Sequence, residues 1–217
     1  MMRKLLLGIF LLVGFSAFSQ VGKSDEAAKK ILDNVSSKFK AYKTVTANFT
    51  LNIENSTGKS LGTKTGVVYM KGSKYRVDIS GQEIYSDGKN IWTFDKSANE
   101  VQITKFDPSA NTLTPQKMFT NFYDKDFLYK LNSETKKGSK TIQQIELTPL
   151  DKTKLFFKVL VDIDKSSKNI VSTKVFEKNG NRYTYTVNNL KVNLPLAEIL
   201  FVFNVNSTPG VEVVDLR

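Results

Sequence analysis

Side chains able to do chemistry are few in this sequence, and the missing kinds constrain it as much as those present. The 217 residues include no His and no Cys. That leaves no Ser-His-Asp or Cys-His nucleophile pair, no zinc site of the usual ligand set, no thiol redox centre and no disulfide. Acid–base work falls to Asp, Glu, Lys or Tyr. The paired carboxylates of a hydrolase could be Asp162 with Asp164, or Asp124 with Asp126. At i and i+2 of a strand, two such groups stand on one face. Yet Asp162-Ile163-Asp164-Lys165 runs into Ser166-Ser167, the composition of a strand end and turn. The expectation is a protein without enzymatic activity, cofactor or metal.

Lys and Arg number 32 against 21 Asp and Glu, a formal net charge of +11. Basic clusters such as Lys136-Lys137-Gly138-Ser139-Lys140 and Lys152-Thr153-Lys154 have aromatics between them in places, which is one footprint of nucleic-acid binding. No clustered Arg stripe or nucleic-acid motif accompanies them, and the N-terminus reads as an export signal, so nucleic acid is not expected as a partner. Anionic lipid headgroups, an acidic partner surface or a merely solvated exterior remain as readings of the charge.

The elements that would position these side chains begin after a leader. Arg3 and Lys4 precede the apolar run Leu5–Val13 and then small residues, with a cut expected after Ala17-Phe18-Ser19. Residues 1–19 therefore read as a signal peptide and 20–217 as a single domain. A membrane anchor is the alternative, but Leu5–Phe18 falls short of the roughly 20 residues that span a bilayer. No Cys follows the apolar run, so the chain cannot be acylated there.

From Ser24 to Ala41 the residues Ala27, Ala28, Ile31, Leu32, Val35 and Phe39 recur at helical spacing, with Ser24 a candidate cap. The period then changes to two. Phe49, Leu51 and Ile53 alternate with polar residues, and strands are expected at 64–70, 74–79, 83–85, 90–95 and 100–104, separated by Gly- and Asn-containing turns. An aromatic insertion, Phe106–Leu131, contains Pro115, Met118, Phe119 and Phe122. Strand spacing resumes at 140–148, 154–164, 170–177 and 181–192. A short apolar turn at 194–200, a strand at 201–205 and a terminal strand at 211–216 complete the pattern. About ten antiparallel strands with so few helices imply a curved sheet whose hollow is incompletely filled. It would be either a closed barrel with a packed interior or an open one with a lined cavity under a lid.

Particular residues narrow this choice. Gly66-Val67-Val68-Tyr69-Met70-Lys71, Lys74-Tyr75-Arg76-Val77, Tyr85-Ser86-Asp87-Gly88-Lys89-Asn90-Ile91-Trp92-Thr93-Phe94-Asp95 and the closing Phe201-Val202-Phe203 with Thr208-Pro209-Gly210-Val211 resemble the periplasmic outer-membrane lipoprotein carrier family, LolA. The resemblance runs over essentially the whole mature chain. It implies a mainly β fold with an α lid: an unclosed antiparallel β-barrel covering a hydrophobic cavity, with helices as the lid. It also implies a monomer in the periplasm that shelters the acyl chains of lipoproteins. Cargo would come from an inner-membrane ABC exporter and go to an outer-membrane acceptor. A binding or sensor protein for other lipids, such as phospholipid, glycolipid or a lipid precursor, has the same fold and stays open as the alternative.

Positions matching the family supply candidate lipid-binding residues: Phe49, Leu51, Ile53, Val68, Met70, Tyr75, Val77, Trp92 and Phe94 on the strands, covered by Ile31, Leu32, Val35 and Phe39. Met118, Phe119 and Phe122 would occupy the cavity when it is empty. Each of these serves equally as ordinary core. One departure concerns the lid. The family carries Arg-Pro after the strand that here ends in Met70-Lys71, and this chain has Gly72-Ser73. Arg76 is the remaining candidate for lid gating, with a solvated strand charge as the alternative.

Overall fold

Amphipathic spacing and a cap make the first helix, and the cap lies one residue beyond the expected Ser24. The computed structural model describes residues 24–107, 115 and 123–217. Both the leader and Met118, Phe119 and Phe122 lie outside the described residues. Helix α1 spans Glu26–Lys40. Asp25 is its N-cap, because its backbone is extended and its carboxylate accepts the Ala27 N–H at 2.8 Å. Glu26 in the first turn and Lys38 and Lys40 in the last complement the helix dipole. Ala28, Leu32 and Val35 are buried along one stripe.

The strands are β1 (Val45–Glu54), β2 (Ser60–Lys71), β3 (Lys74–Ile79), β4 (Gln82–Ser86), β5 (Asn90–Asp95) and β6 (Glu100–Lys105). After a short helix α2 (Tyr123–Asp126) come β7 (Phe127–Lys137), β8 (Lys140–Pro149), β9 (Phe156–Asp164), β10 (Ile170–Glu177), β11 (Arg182–Val192) and β12 (Glu212–Asp215). All twelve form one curved sheet in the order β12-β6-β5-β4-β3-β2-β1-β11-β10-β9-β8-β7. The two end strands do not pair with each other, so the barrel is unclosed. One strand forms where none was expected, and the terminal strand expected at 211–216 forms with a different sense of pairing. Strand β7 emerges from the aromatic insertion, where Phe127, Tyr129 and Leu131 alternate, and β12 pairs parallel with β6 rather than antiparallel.

A further difference lies at residues 201–205, where no strand forms. Turns of 3-10 helix at Glu198–Phe201 and Val205–Ser207 stand there instead. The segment lies against β3, and the neighbouring strands already pair on both sides, so its backbone finds no free sheet edge. It is held by side chains. Glu198 bridges Lys71 at 2.7 Å and Lys74 at 2.5 Å, and Phe201 is fully buried.

Register decides which side chains share a face. On β1 the residues Val45, Ala47, Phe49, Leu51 and Ile53 face the same way as Met70 and Val68 of β2 and Tyr75, Val77 and Ile79 of β3. In the other direction that face continues through Tyr183, Tyr185 and Val187 of β11 to Val175, Val161, Ile145 and Tyr129. Helix α1 packs on it, with Leu32 and Val35 among the β7–β10 residues and Phe39 against the β1–β3 residues. This is the inner face. Gly66 is required within it: a Cβ there would stand 2.5 Å from the Phe49 ring and 2.6 Å from the Asp78 carbonyl, so the missing side chain is what lets Phe49 lie across β2.

Candidate functional site

Beneath the C-terminal half of α1 the inner face is not filled. A groove enclosing ≈ 400 Å³, part of it open to solvent, lies between the helix, the first residues of β1, the last of β11 and the β9–β10 turn. Its apolar walls are Val35, Phe39, Val45, Ala47, Ile170, Val187 and Leu190. Tyr42, Asn169, Lys38 and Lys168 complete the lining. Among the lining residues no carboxylate occurs, so apolar surface and two ammonium groups are what a ligand would meet.

Among the described residues, the helix roofing the groove is tied down near its start, in its middle and near its end. Asp25 donates its N–H to the Tyr129 carbonyl at 2.9 Å, and its carboxylate also accepts the Leu131 N–H at 3.1 Å, tying the cap to β7. In the middle, the Tyr123 hydroxyl donates to Asp33 at 2.8 Å, and Lys29 bridges the same carboxylate at 3.0 Å. Burial acts to raise the Asp33 carboxyl, but the bonds from Lys29 and Tyr123 outweigh it and hold the group below its ordinary range. Near the end, the Lys38 ammonium donates to the Ser167 carbonyl in the β9–β10 turn.

Asp25 therefore does two jobs, and its removal should be felt at both. The N–H of Leu131, then that of Ala27, holds its carboxyl below the ordinary range. A carboxyl with a lowered folded pKa contributes stability above its unfolded pKa and loses it as pH falls through the folded value. Asp25→Ala is expected to cost about 1 kcal/mol in urea unfolding, with faster hydrogen exchange at Ala27 and Leu131. The same acceleration is expected in the unsubstituted protein on acidification below the ordinary Asp pKa. Unchanged exchange at both amides would contradict the role.

The expected lining residues divide between two faces. Ile31, Leu32, Val35, Phe39, Phe49, Leu51, Ile53, Val68, Met70, Tyr75 and Val77 pack together on the inner face. Of these only Val35 and Phe39 border the groove, while the others lie in the packed layers beside it. Trp92 and Phe94 do not join them. Tyr75 pairs with Ser86 and Ser86 with Ile91, which places Ile91 and Thr93 on the inner face and turns Trp92 and Phe94 outward. There they form a third cluster with Tyr85, Val101 and Ile103, closed by Phe203, whose ring stands 5.1 Å from Phe94 and 5.6 Å from Tyr85.

Arg76 is likewise displaced from its expected role. It alternates with Tyr75 and Val77 and so points outward, away from α1. Its guanidinium bonds Asp78 at 2.7 Å, approaches Glu83 at 3.6 Å and lies 4.6 Å above the Tyr85 ring. Two carboxylates and an aromatic face engage it on the outer surface, and among the described residues none of its contacts is to α1. Asp162 and Asp164, weighed for catalysis, are also committed. Asp162 accepts from Gln144 at 2.9 Å and Ser172 at 3.2 Å. Asp164 accepts from the Ser166 hydroxyl and the Ser166 and Ser167 N–H groups within 3.2 Å, which holds it below the ordinary range. An ionised carboxylate closing a turn is suited to structure and not to proton donation.

Sequence reasoning missed Lys38, Tyr42, Val45, Ala47, Lys168, Asn169, Ile170, Val187 and Leu190. The apolar members lie on strands whose alternation was visible. What no local signal gives is that the start of β1, the end of β11 and the β9–β10 turn meet beneath the helix.

Residues 40–204 match the family model described as outer membrane lipoprotein carrier protein LolA. An outer-membrane lipoprotein carrier protein of Cupriavidus necator is 27% identical over 157 residues, covering 70% of this chain and 72% of that protein. One of the same name from Cupriavidus taiwanensis is 28% identical over 125 residues, 57% of this chain and 56% of that protein. Among solved structures, an uncharacterized conserved protein of Thermus thermophilus superposes with a TM-score of 0.58 at 13% identity, covering 87% of this chain and 99% of the other. At that identity the likeness is one of fold.

Proposed function

The chain belongs to the LolA family, and from that membership we propose that it is a non-enzymatic periplasmic carrier. It would hold the acyl chains of lipoproteins against the inner face of its sheet and move them between membranes. The observation that carries this reading is the apolar groove under α1, roofed by a helix that a few polar bonds hold to the sheet. Residues 1–19 would direct export, leaving 20–217 as the carrier. An inner-membrane ABC exporter would load it, and an outer-membrane acceptor would receive the cargo.

The energetics suit a carrier. An acyl chain of about 16 carbons gains roughly 0.8 kcal/mol for each methylene taken out of water, so cargo does not escape into solution. Transfer then requires an acceptor that binds more tightly still. The groove is too small for several chains at once, so full loading would lift α1 from the sheet and offer the inner-face residues Phe49, Leu51, Val68 and Met70 to the cargo. Asp25 and its bonds to β7 would be the pivot, and the C-terminal end the part that swings.

The test is purification from the periplasm without delipidating steps, followed by intact-mass spectrometry of bound material. Co-purified triacylated lipoprotein is expected. Free phospholipid or glycolipid in its place would overturn the lipoprotein reading in favour of a carrier or sensor of other lipids.

A further inference from the structure

The groove is apolar along its length but not at its mouth. Lys38 and Lys168 are the charged residues that line it, and both are partly buried. Each ammonium donates to a backbone carbonyl: Lys38 to that of Ser167, and Lys168 to that of Lys165. An ammonium has three donors, so each retains capacity for an anionic oxygen. Two acids stand near the turn and both are engaged: Asp164 by Ser166 and Ser167, with Lys140 3.9 Å away, and Glu134 by Lys165 at 2.6 Å, close enough for the Lys168 charge to act on it as well. Lys168 adopts the left-handed backbone conformation at φ 57°, which bulky residues seldom hold, at the residue just before Asn169 and Ile170 enter the groove wall.

We propose that the mouth of this groove is an anion-binding site for an acidic amphiphile: Lys38 and Lys168 hold a phosphate or carboxylate head while the attached acyl chain lies along Val35, Ala47, Val187 and Leu190. The inference rests on the groove being an acyl-chain site and goes beyond the lipoprotein reading: the acylated end of a lipoprotein carries no charge, so an acidic amphiphile is a second class of ligand for the same groove. Two cations beside a water-poor apolar wall, with no carboxylate among the lining residues, attract an anion more strongly than the same pair on open surface. Charge-assisted bonds to the ligand exceed those the ammonium groups make to neutral carbonyls. Binding therefore draws Lys38 from Ser167, the bond that holds the end of α1 to the β9–β10 turn, and head-group recognition loosens the roof as the chain enters.

Titration calorimetry below the micellar concentrations can test this with palmitoyl lysophosphatidylglycerol, the neutral 1-monopalmitoylglycerol, and inorganic phosphate. The unsubstituted protein is expected to bind the anionic lipid at least about tenfold more tightly than the neutral one, with the difference shrinking at high salt. Lys38→Gln and Lys168→Gln should each remove about tenfold of affinity for lysophosphatidylglycerol and change monopalmitoylglycerol affinity by far less, with far-UV circular dichroism reporting that the variants are folded. Equal affinity for the two lipids, or indifference of both variants, overturns the head-group site alone. Failure of both lipids to bind overturns the acyl-chain reading and the site with it. Phosphate binding as tightly as the lysophospholipid overturns the amphiphile as ligand.

Discussion

Replacing Trp92 by alanine is expected to destabilise the protein by about 3–5 kcal/mol, the usual range for deleting a buried aromatic side chain, while leaving acyl-chain affinity unchanged. Trp92 is only 8% exposed and packs with Tyr85, Val101, Ile103 and Phe203 on the outer face. Its loss opens a cavity under the segment that crosses from β11 to β12, and the surrounding rings, fixed by their strands, cannot collapse into it. The groove lies across the sheet, so a folded variant should still bind. The check is urea unfolding together with monopalmitoylglycerol titration at low temperature, where the variant remains folded. Trp92→Phe, which keeps most of the volume, should recover much of the stability. A Trp92→Ala protein with normal stability and at least tenfold weaker binding would place this residue in the ligand site and contradict the register.

The second large effect is expected on binding. Ala47 is buried on the inner face of β1 and lines the groove between Val68 and Leu190. Ala47→Trp places an indole where the acyl chain would lie. Ala47 is buried, so the ring overpacks the layer beneath α1 and a stability cost of roughly 1–3 kcal/mol is expected. Excluding four methylenes of ligand removes about 3 kcal/mol, more than a hundredfold in affinity. Ala47→Leu should give an intermediate loss. Monopalmitoylglycerol titration reads the effect, and a folded Ala47→Trp protein that binds as before would show that the chain lies elsewhere.

These predictions differ because of something the sequence states only in part. Alternation along Phe49-Thr50-Leu51-Asn52-Ile53 and along Ile91-Trp92-Thr93-Phe94 identifies strands in both cases. In the first it also identifies the core face, since one set is apolar and the other polar. Strand β5 carries large apolar residues on its outward side, because the C-terminal segment covers that side with Phe203. Its pattern therefore reads as a lining strand when it is the floor of a second core. Arg76 was subject to the same ambiguity. Its face follows from the pairing of Met70 with Tyr75, and a slip of one residue in that hairpin would have turned it toward the helix.

Local chemistry determined a good deal without the tertiary structure. The spacing of Ile31, Leu32, Val35 and Phe39 specified an amphipathic helix. Period-two runs and Gly turns specified most of the strands, and the Gly66–Asp95 residues pointed to the family and its open barrel. Helix periodicity and turn preferences act over a few residues, which is why they can be read from a string. The groove cannot be read that way. Val35, Ala47, Ile170 and Leu190 come together only when β1 and β11 pair across more than 130 residues of chain, and the cationic mouth exists only because the β9–β10 turn carries Lys168 to the end of α1. Faces, cavities and the company a charge keeps are properties of long-range register, and the tertiary structure decided them.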